Sequence, residues 1–367
     1  MRRREPDYYR KFRCIGGACP DTCCKDWEIV LDEQTLEAYQ QAPQGLRERL
    51  KAGIVDNEDG ERCFRLGEDG RCAMLTQDGW CAVQREWGEE HLCGHCAAYP
   101  RFVEEYGCLT ESALAISCPE AARLLLEAPG FALVEEEDGG ADLPFEGVDG
   151  GMLSGLEHTR AMALEALTRG EGTVWKRLAQ VLALAYDGQD ALDFCAYDQL
   201  FQCAPLEPQG AEMGGREMAL RVLERWMALE PLRPEWPALL QSRCAQLSGL
   251  DEGAYDALRA GFQEAYPQWE GQLTRVAGYL IFRHWLKAVN DDGLYGRAVL
   301  VGGACVALYH LMALEWQAQG TLSVEGAAAL CSAFGREVEH MEDNFMALVE
   351  DGYHLERWPL YQCLMGL

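Results

Sequence analysis

Apolar positions recur at helical spacing through the second half of this chain. Leu220, Leu223 and Met227 follow one another at intervals of three and four, with Val222, Trp226 and Leu229 on the adjoining stripe. That spacing turns one face of a helix toward a core. Ile281, Trp285 and Val289 repeat at four. Pro231, Pro234 and Pro237 separate one helix from the next, because proline lacks the N–H a helix interior needs. Residues 298–314 carry no Asp, Glu, Lys or Arg but include Gly302, Gly303 and His310. The run falls short of the roughly 20 apolar residues a membrane span needs, and it reads as a buried core helix. No strand pattern alternates with these helices and no 20–50-residue repeat is present, so a parallel-sheet α/β fold is not supported. The fold class expected is mainly α, with residues 152–367 as a helical domain.

The first third is patterned differently. Residues 1–128 combine Gly and Pro with short apolar pieces such as Trp27-Glu-Ile-Val-Leu31, which predicts loops and brief helices wrapped round a centre. Asp32 is placed to cap a short helix over residues 33–39. Ser117 or Cys118 is placed to cap another, with Pro119 in its first turn and Pro129-Gly130 ending it. Residues 129–151 form a seam: Glu135-Glu-Glu-Asp-Gly-Gly-Ala-Asp142 is acidic and glycine-rich, a composition that reads as a linker.

Across 367 residues the formal net charge is -28, which argues against nucleic-acid binding, since phosphate contacts need a basic face. The N-terminal Met1-Arg-Arg-Arg is followed by no apolar run of the kind a secretory signal carries. The expectation is a soluble, cytoplasmic protein with no membrane span.

Seventeen cysteines change this picture. Cys14, Cys19, Cys23 and Cys24 form one constellation; Cys72, Cys81, Cys93 and Cys96 form another. In a reducing compartment such clustering points to metal ligands rather than a disulfide framework. A thiolate quartet suits structural zinc or an iron–sulfur cluster. The candidate ligands are Cys14, Cys19, Cys23, Cys24, Cys72, Cys81 and Cys96. Successive side chains diverge, so Cys23 and Cys24 are not expected to meet one ion together. Cys63 and Cys108 read as packing residues, and the six cysteines from Cys195 to Cys363 read as core.

No G-x-x-x-x-G-K-[ST], strand-borne G-x-G-x-x-G or H-E-x-x-H motif is present. Asp26 stands where a Cys-x3-Cys-x2-Cys pattern would need its third thiol. Tyr99 and Arg101 directly follow Cys96, which places an aromatic ring and a guanidinium beside the proposed centre as candidate cofactor-binding residues. No catalytic residue is assigned.

At these residues the chain resembles the flagellin lysine-N-methylase family, the FliB-type proteins. The resemblance is carried by Phe12-Arg-Cys-Ile-Gly-Gly-Ala-Cys19, Asp21-Thr-Cys-Cys24 with Trp27 and Asp32, and Gly70-Arg-Cys72-Ala-Met-Leu75. Cys81, Gly88-Glu-Glu-His-Leu-Cys93, Cys96-Ala-Ala-Tyr-Pro-Arg101 and Ser117-Cys-Pro-Glu-Ala-Ala-Arg123 continue it. The cysteine pattern is also similar to the wider group of cysteine-rich zinc- or iron-chelating bacterial proteins. The FliB-type resemblance implies methylation of flagellin lysines from S-adenosylmethionine, with an iron–sulfur cluster (4Fe-4S) involved and flagellin as partner. The alternative is a non-catalytic metal-binding protein that docks a flagellar partner.

Overall fold

Most of the molecule is assembled around the helix Leu294–Gln319, in which every residue from Leu294 to Leu314 is buried. The structure, a computed structural model, describes residues 2–137, 149–205, 215–354 and 358–367. Helices Val174–Asp193, Gly215–Met227, Trp269–His284 and Glu342–His354 pack against the central helix. Without charged side chains from Ala298 to Leu314, it can be covered on every face. It is long and apolar enough to cross a membrane, and 94% of its most apolar window lies buried inside the protein. The architecture is mainly α, as the periodicity predicts. Ile281 and Trp285 are both buried, but the helix ends at His284 and a 3-10 segment, Trp285–Val289, continues the stripe.

Two small sheets accompany the helices. A four-stranded sheet combines β1 (Arg2–Pro6), β4 (Arg101–Glu105), β5 (Leu109–Leu114) and β6 (Leu133–Glu137) in the order β4-β5-β1-β6. A two-stranded sheet pairs β2 (Ile54–Asp56) with β3 (Arg62–Phe64). Strand β1 runs parallel to β5 and antiparallel to β6.

The antiparallel register sets Arg2 opposite Glu137, Arg3 opposite Glu136 and Arg4 opposite Glu135. Opposite charges facing one another across two strands stabilise the pairing. The acidic stretch expected to be a linker is therefore a strand as far as Glu137. The remainder of that segment, residues 138–148, lies outside the described residues. Arg4 also reaches Glu111 at 3.1 Å and Glu157 at 3.2 Å. The Glu111 carboxylate is in turn held by the fully buried Arg160, which stacks over Phe282 at 5.2 Å. These pairs fasten the sheet to helix Gly150–Arg169.

Apolar side chains divide into two cores. The smaller gathers Ile29, Leu31, Tyr39, Leu46, Leu50, Phe64, Met74 and Val83 from the cysteine-rich segment. The larger runs from Tyr8 and Phe12 through β5 and helix Pro119–Glu127 into the helical body. Of the later cysteines, Cys244, Cys305, Cys331 and Cys363 are buried as expected. Cys195 is exposed and Cys203 half-buried, because they flank the surface 3-10 turn Tyr197–Gln202 rather than occupying a helix face.

Candidate metal and cofactor site

Short backbone pairings bring the thiol-bearing loops together. The Cys24 carbonyl accepts a hydrogen bond from the Cys72 N–H at 3.0 Å, and isolated bridges join Lys25 to Arg71 and Leu75 to Cys81. The loop carrying Cys14 and Cys19 lies on Trp80, the residue before Cys81. A Cβ on Gly16 would come within 2.3 Å of that indole and one on Gly17 within 2.6 Å. Gly16 also has φ +51°, a conformation glycine adopts without steric cost.

Three cysteines stand at helix N-caps. Cys81 precedes Ala82–Glu86, Cys93 precedes Gly94–Ala98, and Cys118 precedes Pro119–Glu127. None of the three thiols makes a capping hydrogen bond, but backbone N–H groups of each first turn lie near enough to favour the thiolate: those of Gln84 and Val83 at Cys81, Cys96 and His95 at Cys93, Ala121 and Glu120 at Cys118. Orphan N–H groups at a helix start favour a negative sulfur, as they favour a capping carboxylate.

The result is a cavity of about 90 Å³ lined by Cys14, Cys19, Cys23, Cys24, Cys72, Cys81, Cys96 and Cys118. All seven ligands predicted from spacing face it. Cys118 is an addition, because it stands 22 residues beyond Cys96 and nothing in its local spacing marks it. Its signal was the cap position before Pro119. Cys93 is buried behind the cavity, with its thiol beside that of Cys96. No disulfide links these residues. Among the described residues, no three Cys, His, Asp or Glu side chains converge as they would round a single ion. The thiols surround a volume that Asp21, Glu89 and Glu120 also line, and so sulfur-rich a donor set suits a thiophilic ion or a cluster.

Burial and neighbouring sulfurs govern protonation. Burial pushes the Cys72 thiol up to about 12 and the Cys118 thiol up to about 11, with backbone N–H groups opposing. Burial also raises Cys19 and Cys81. In two pairs one thiol donates to the other. Cys24, receiving from Cys23, is lowered to about 7, and Cys93, receiving from Cys96, is likewise lowered to about 7. Their donors move up. Metal binding would displace these protons, so affinity should rise with pH.

Tyr99 and Arg101 line the same cavity. Tyr99 lies 6.2 Å from Trp27, ring to ring, and its hydroxyl is 3.2 Å from that of Ser117. The Arg101 guanidinium sits 5.0 Å from the centre of the Phe12 ring and has no carboxylate partner among the described residues. Arg123, by contrast, is held by Glu120 and Glu127 on its own helix.

The helical body grips this site through a five-residue π-helical segment, Gly335–Glu339. Such insertions re-aim side chains within a helix. Arg336 binds Asp21 at 2.7 Å and donates to the Ser117 carbonyl at 3.2 Å. Glu337 accepts from the backbone N–H of Leu232 at 2.8 Å. Glu339 receives Tyr279 at 2.7 Å, His284 at 3.0 Å and Arg283 at 2.7 Å.

No family model and no solved structure matches the chain. Among curated proteins it is 30% identical over 148 residues to "Flagellar biosynthetic protein FliU" of Salmonella muenchen, covering 36% of this chain and 82% of that protein. It is 29% identical over 147 residues to "Lysine-N-methylase" of Salmonella typhimurium and to the protein of that name from Salmonella choleraesuis. In both, the match covers 36% of this chain and spans 34% of the methylase. With so much of FliU accounted for, and two lysine-N-methylases matched over a similar length, the chain belongs to the flagellin lysine-N-methylase (FliB-type) family.

Proposed function

We propose that this protein is a lysine N-methyltransferase that acts on flagellin in the cytoplasm, with S-adenosylmethionine as donor and a cysteine-bound iron–sulfur cluster. The observation that carries the reading is the coincidence of two things: kinship to proteins named lysine-N-methylase, and one cavity lined by eight thiols together with Tyr99 and Arg101. The residues that would hold the cluster come from Cys14, Cys19, Cys23, Cys24, Cys72, Cys81, Cys96 and Cys118. A cluster with an open iron site would supply an anchor for the amino and carboxylate groups of the donor.

The chain's own groups supply the rest. Arg101, which has no acidic partner among the described residues, can hold a carboxylate through paired hydrogen bonds. Tyr99 and Trp27 offer aromatic faces to a sulfonium or an adenine. The cavity's apolar walls, including Phe12, Ile29 and Leu92, would lower the pKa of an entering lysine toward the neutral amine that methylation requires.

A second reading, a non-catalytic metal protein that docks a flagellar partner, is favoured by one fact. The match covers most of FliU, whose name denotes flagellar biosynthesis and no methylase activity. Purified, anaerobically prepared protein incubated with flagellin and methyl-labelled S-adenosylmethionine separates the two. Label in flagellin lysines supports the enzyme. Retention of flagellin by a metal-loaded protein, with no label transferred, supports the docking protein.

A further inference from the structure

We infer that β4 is a docking edge for an extended, lysine-bearing segment of the partner protein, which adds to the four-stranded sheet as a further strand and reaches the thiol cavity beside Arg101. The inference rests on the reading of flagellin as the partner and adds how that partner is held.

In the order β4-β5-β1-β6, strand β4 pairs with β5 alone, so its other side is free. The register decides which backbone groups lie there. Tyr106 donates its N–H to the Leu109 carbonyl and the Pro100 carbonyl accepts from Ala115, both at 2.8 Å. Between them Arg101 faces Leu114, Val103 faces Ser112 and Glu105 faces Thr110. Bonded and unbonded positions alternate along an antiparallel pair, so Pro100, Phe102, Glu104 and Tyr106 are the residues bonded to β5. The N–H and C=O groups of Arg101, Val103 and Glu105 point the other way. Among the described residues they make no hydrogen bond. Such a row is a template for an incoming strand.

Two observations make this edge more than a bare one. It is continuous with the candidate site: Arg101, its first residue, lines the thiol cavity together with Tyr99 and Pro100. Side chains opposite one another on paired strands share a face of the sheet. A residue set opposite Arg101 therefore presents its side chain on the face where the guanidinium meets Phe12 and the cavity. The edge is also unguarded. Natural sheets blunt their edges with charge, as β6 does with Glu135, Glu136 and Glu137. Strand β4 instead shows Val103, 55% exposed, at its centre, and its Glu104 is engaged by Lys287 at 2.6 Å. Glu105 is exposed, and with a net charge of -28 over the chain it favours a basic segment.

Val103→Pro tests the inference, because proline there deletes a docking donor without removing a bond to β5. Fluorescent flagellin peptides, each centred on one lysine, are titrated with full-length protein prepared anaerobically, and binding is read by anisotropy. At least one peptide should bind the wild type, and Val103→Pro should weaken it about tenfold or more. Metal-dependent absorption and far-ultraviolet circular dichroism should be unchanged. Should proline unfold the strand, the peptide carries the test instead. N-methylation of its backbone amides at alternate residues should abolish binding in one phase and spare it in the other, since a strand turns its N–H groups to one side at every second residue. Equal affinity of folded Val103→Pro and wild type, or the same effect from both N-methyl sets, would overturn the inference. So would a wild type that binds no peptide, or a wild-type dimer that Val103→Pro dissociates while peptide affinity stays unchanged. Methyl transfer is scored separately: a peptide bound through β4 but never labelled would leave the docking edge standing and remove the methyltransferase reading.

Discussion

Arg233 grips Asp21 through one guanidinium nitrogen, which lies 3.0 and 2.9 Å from the two carboxylate oxygens. Its Nε stands 3.0 Å from an oxygen of Asp26. Asp21 and Asp26 bracket Cys23 and Cys24, so an arginine from the helical body fixes the loop that supplies two of the proposed ligands. Arg233→Ala should cost about 1–2 kcal/mol of stability, since the pair is only partly buried. The larger effect should be on retention: metal should leave the variant faster than the wild type in a chelator chase. Unchanged release would mean that the loop holds its shape without the arginine.

Gly335 makes the second tie. A Cβ there would lie 2.5 Å from the Ser117 backbone nitrogen and 2.9 Å from the Ile116 carbonyl carbon. Backbone cannot swing aside as a flexible side chain can. Gly335→Ala should therefore destabilise by about 1–3 kcal/mol, despite alanine's better helix propensity. Urea unfolding at neutral pH checks this.

Acid should weaken the helical body through a buried histidine. Burial lowers His310 to about 4, against the opposing bond to the Val306 carbonyl. With Nδ1 donating to that carbonyl at 2.7 Å and Nε2 accepting from the Tyr255 hydroxyl at 2.9 Å, the ring is satisfied when neutral. The unfolded chain takes the proton first, so stability is full above about pH 6.5 and falls as pH drops toward 4. The slope from this group is on the order of 1 kcal/mol per pH unit. His284, also buried and lowered to about 4, adds to it. His310→Gln should be less stable at pH 7 yet show a shallower acid decline. An equal slope between pH 6.5 and 4.5 in urea titrations would remove His310 from the explanation.

What was legible in the sequence is what is local. Asp32 caps its helix as expected, accepting from the Thr35 N–H at 2.7 Å. Cys118-Pro119 opens the next, and the uncharged run from Ala298 lies in the central helix. The four-stranded sheet was not legible. Arg2-Arg3-Arg4 and Glu135-Glu136-Glu137 lack the apolar alternation of a strand, and each becomes one only by meeting the other far along the chain. Cys118 was missed as a cavity residue for the same reason, since a fold rather than a spacing brings it to Cys14 and Cys19. The π-helical segment has no sequence signature beyond a glycine.

Substitutions should separate ligation, donor binding and packing. Cys96→Ala should lose both metal-dependent absorption and activity. Arg101→Ala should keep the absorption and lose most methyl transfer. Cys244→Ala, buried in the helical body away from the thiol cavity, should keep both at a stability cost on the order of 1 kcal/mol. If Arg101→Ala loses absorption along with activity, its guanidinium braces the loop instead of holding a donor.

The most direct test is the mass of flagellin from cells that lack this protein, from cells complemented with the wild type, and from cells complemented with Cys72→Ser. Wild type alone should restore increments of whole methyl groups, mapped by fragmentation to lysine side chains. Flagellin of identical mass in all three, with the wild-type protein present, folded and metal-loaded, would contradict the assignment of this chain as a flagellin lysine methyltransferase.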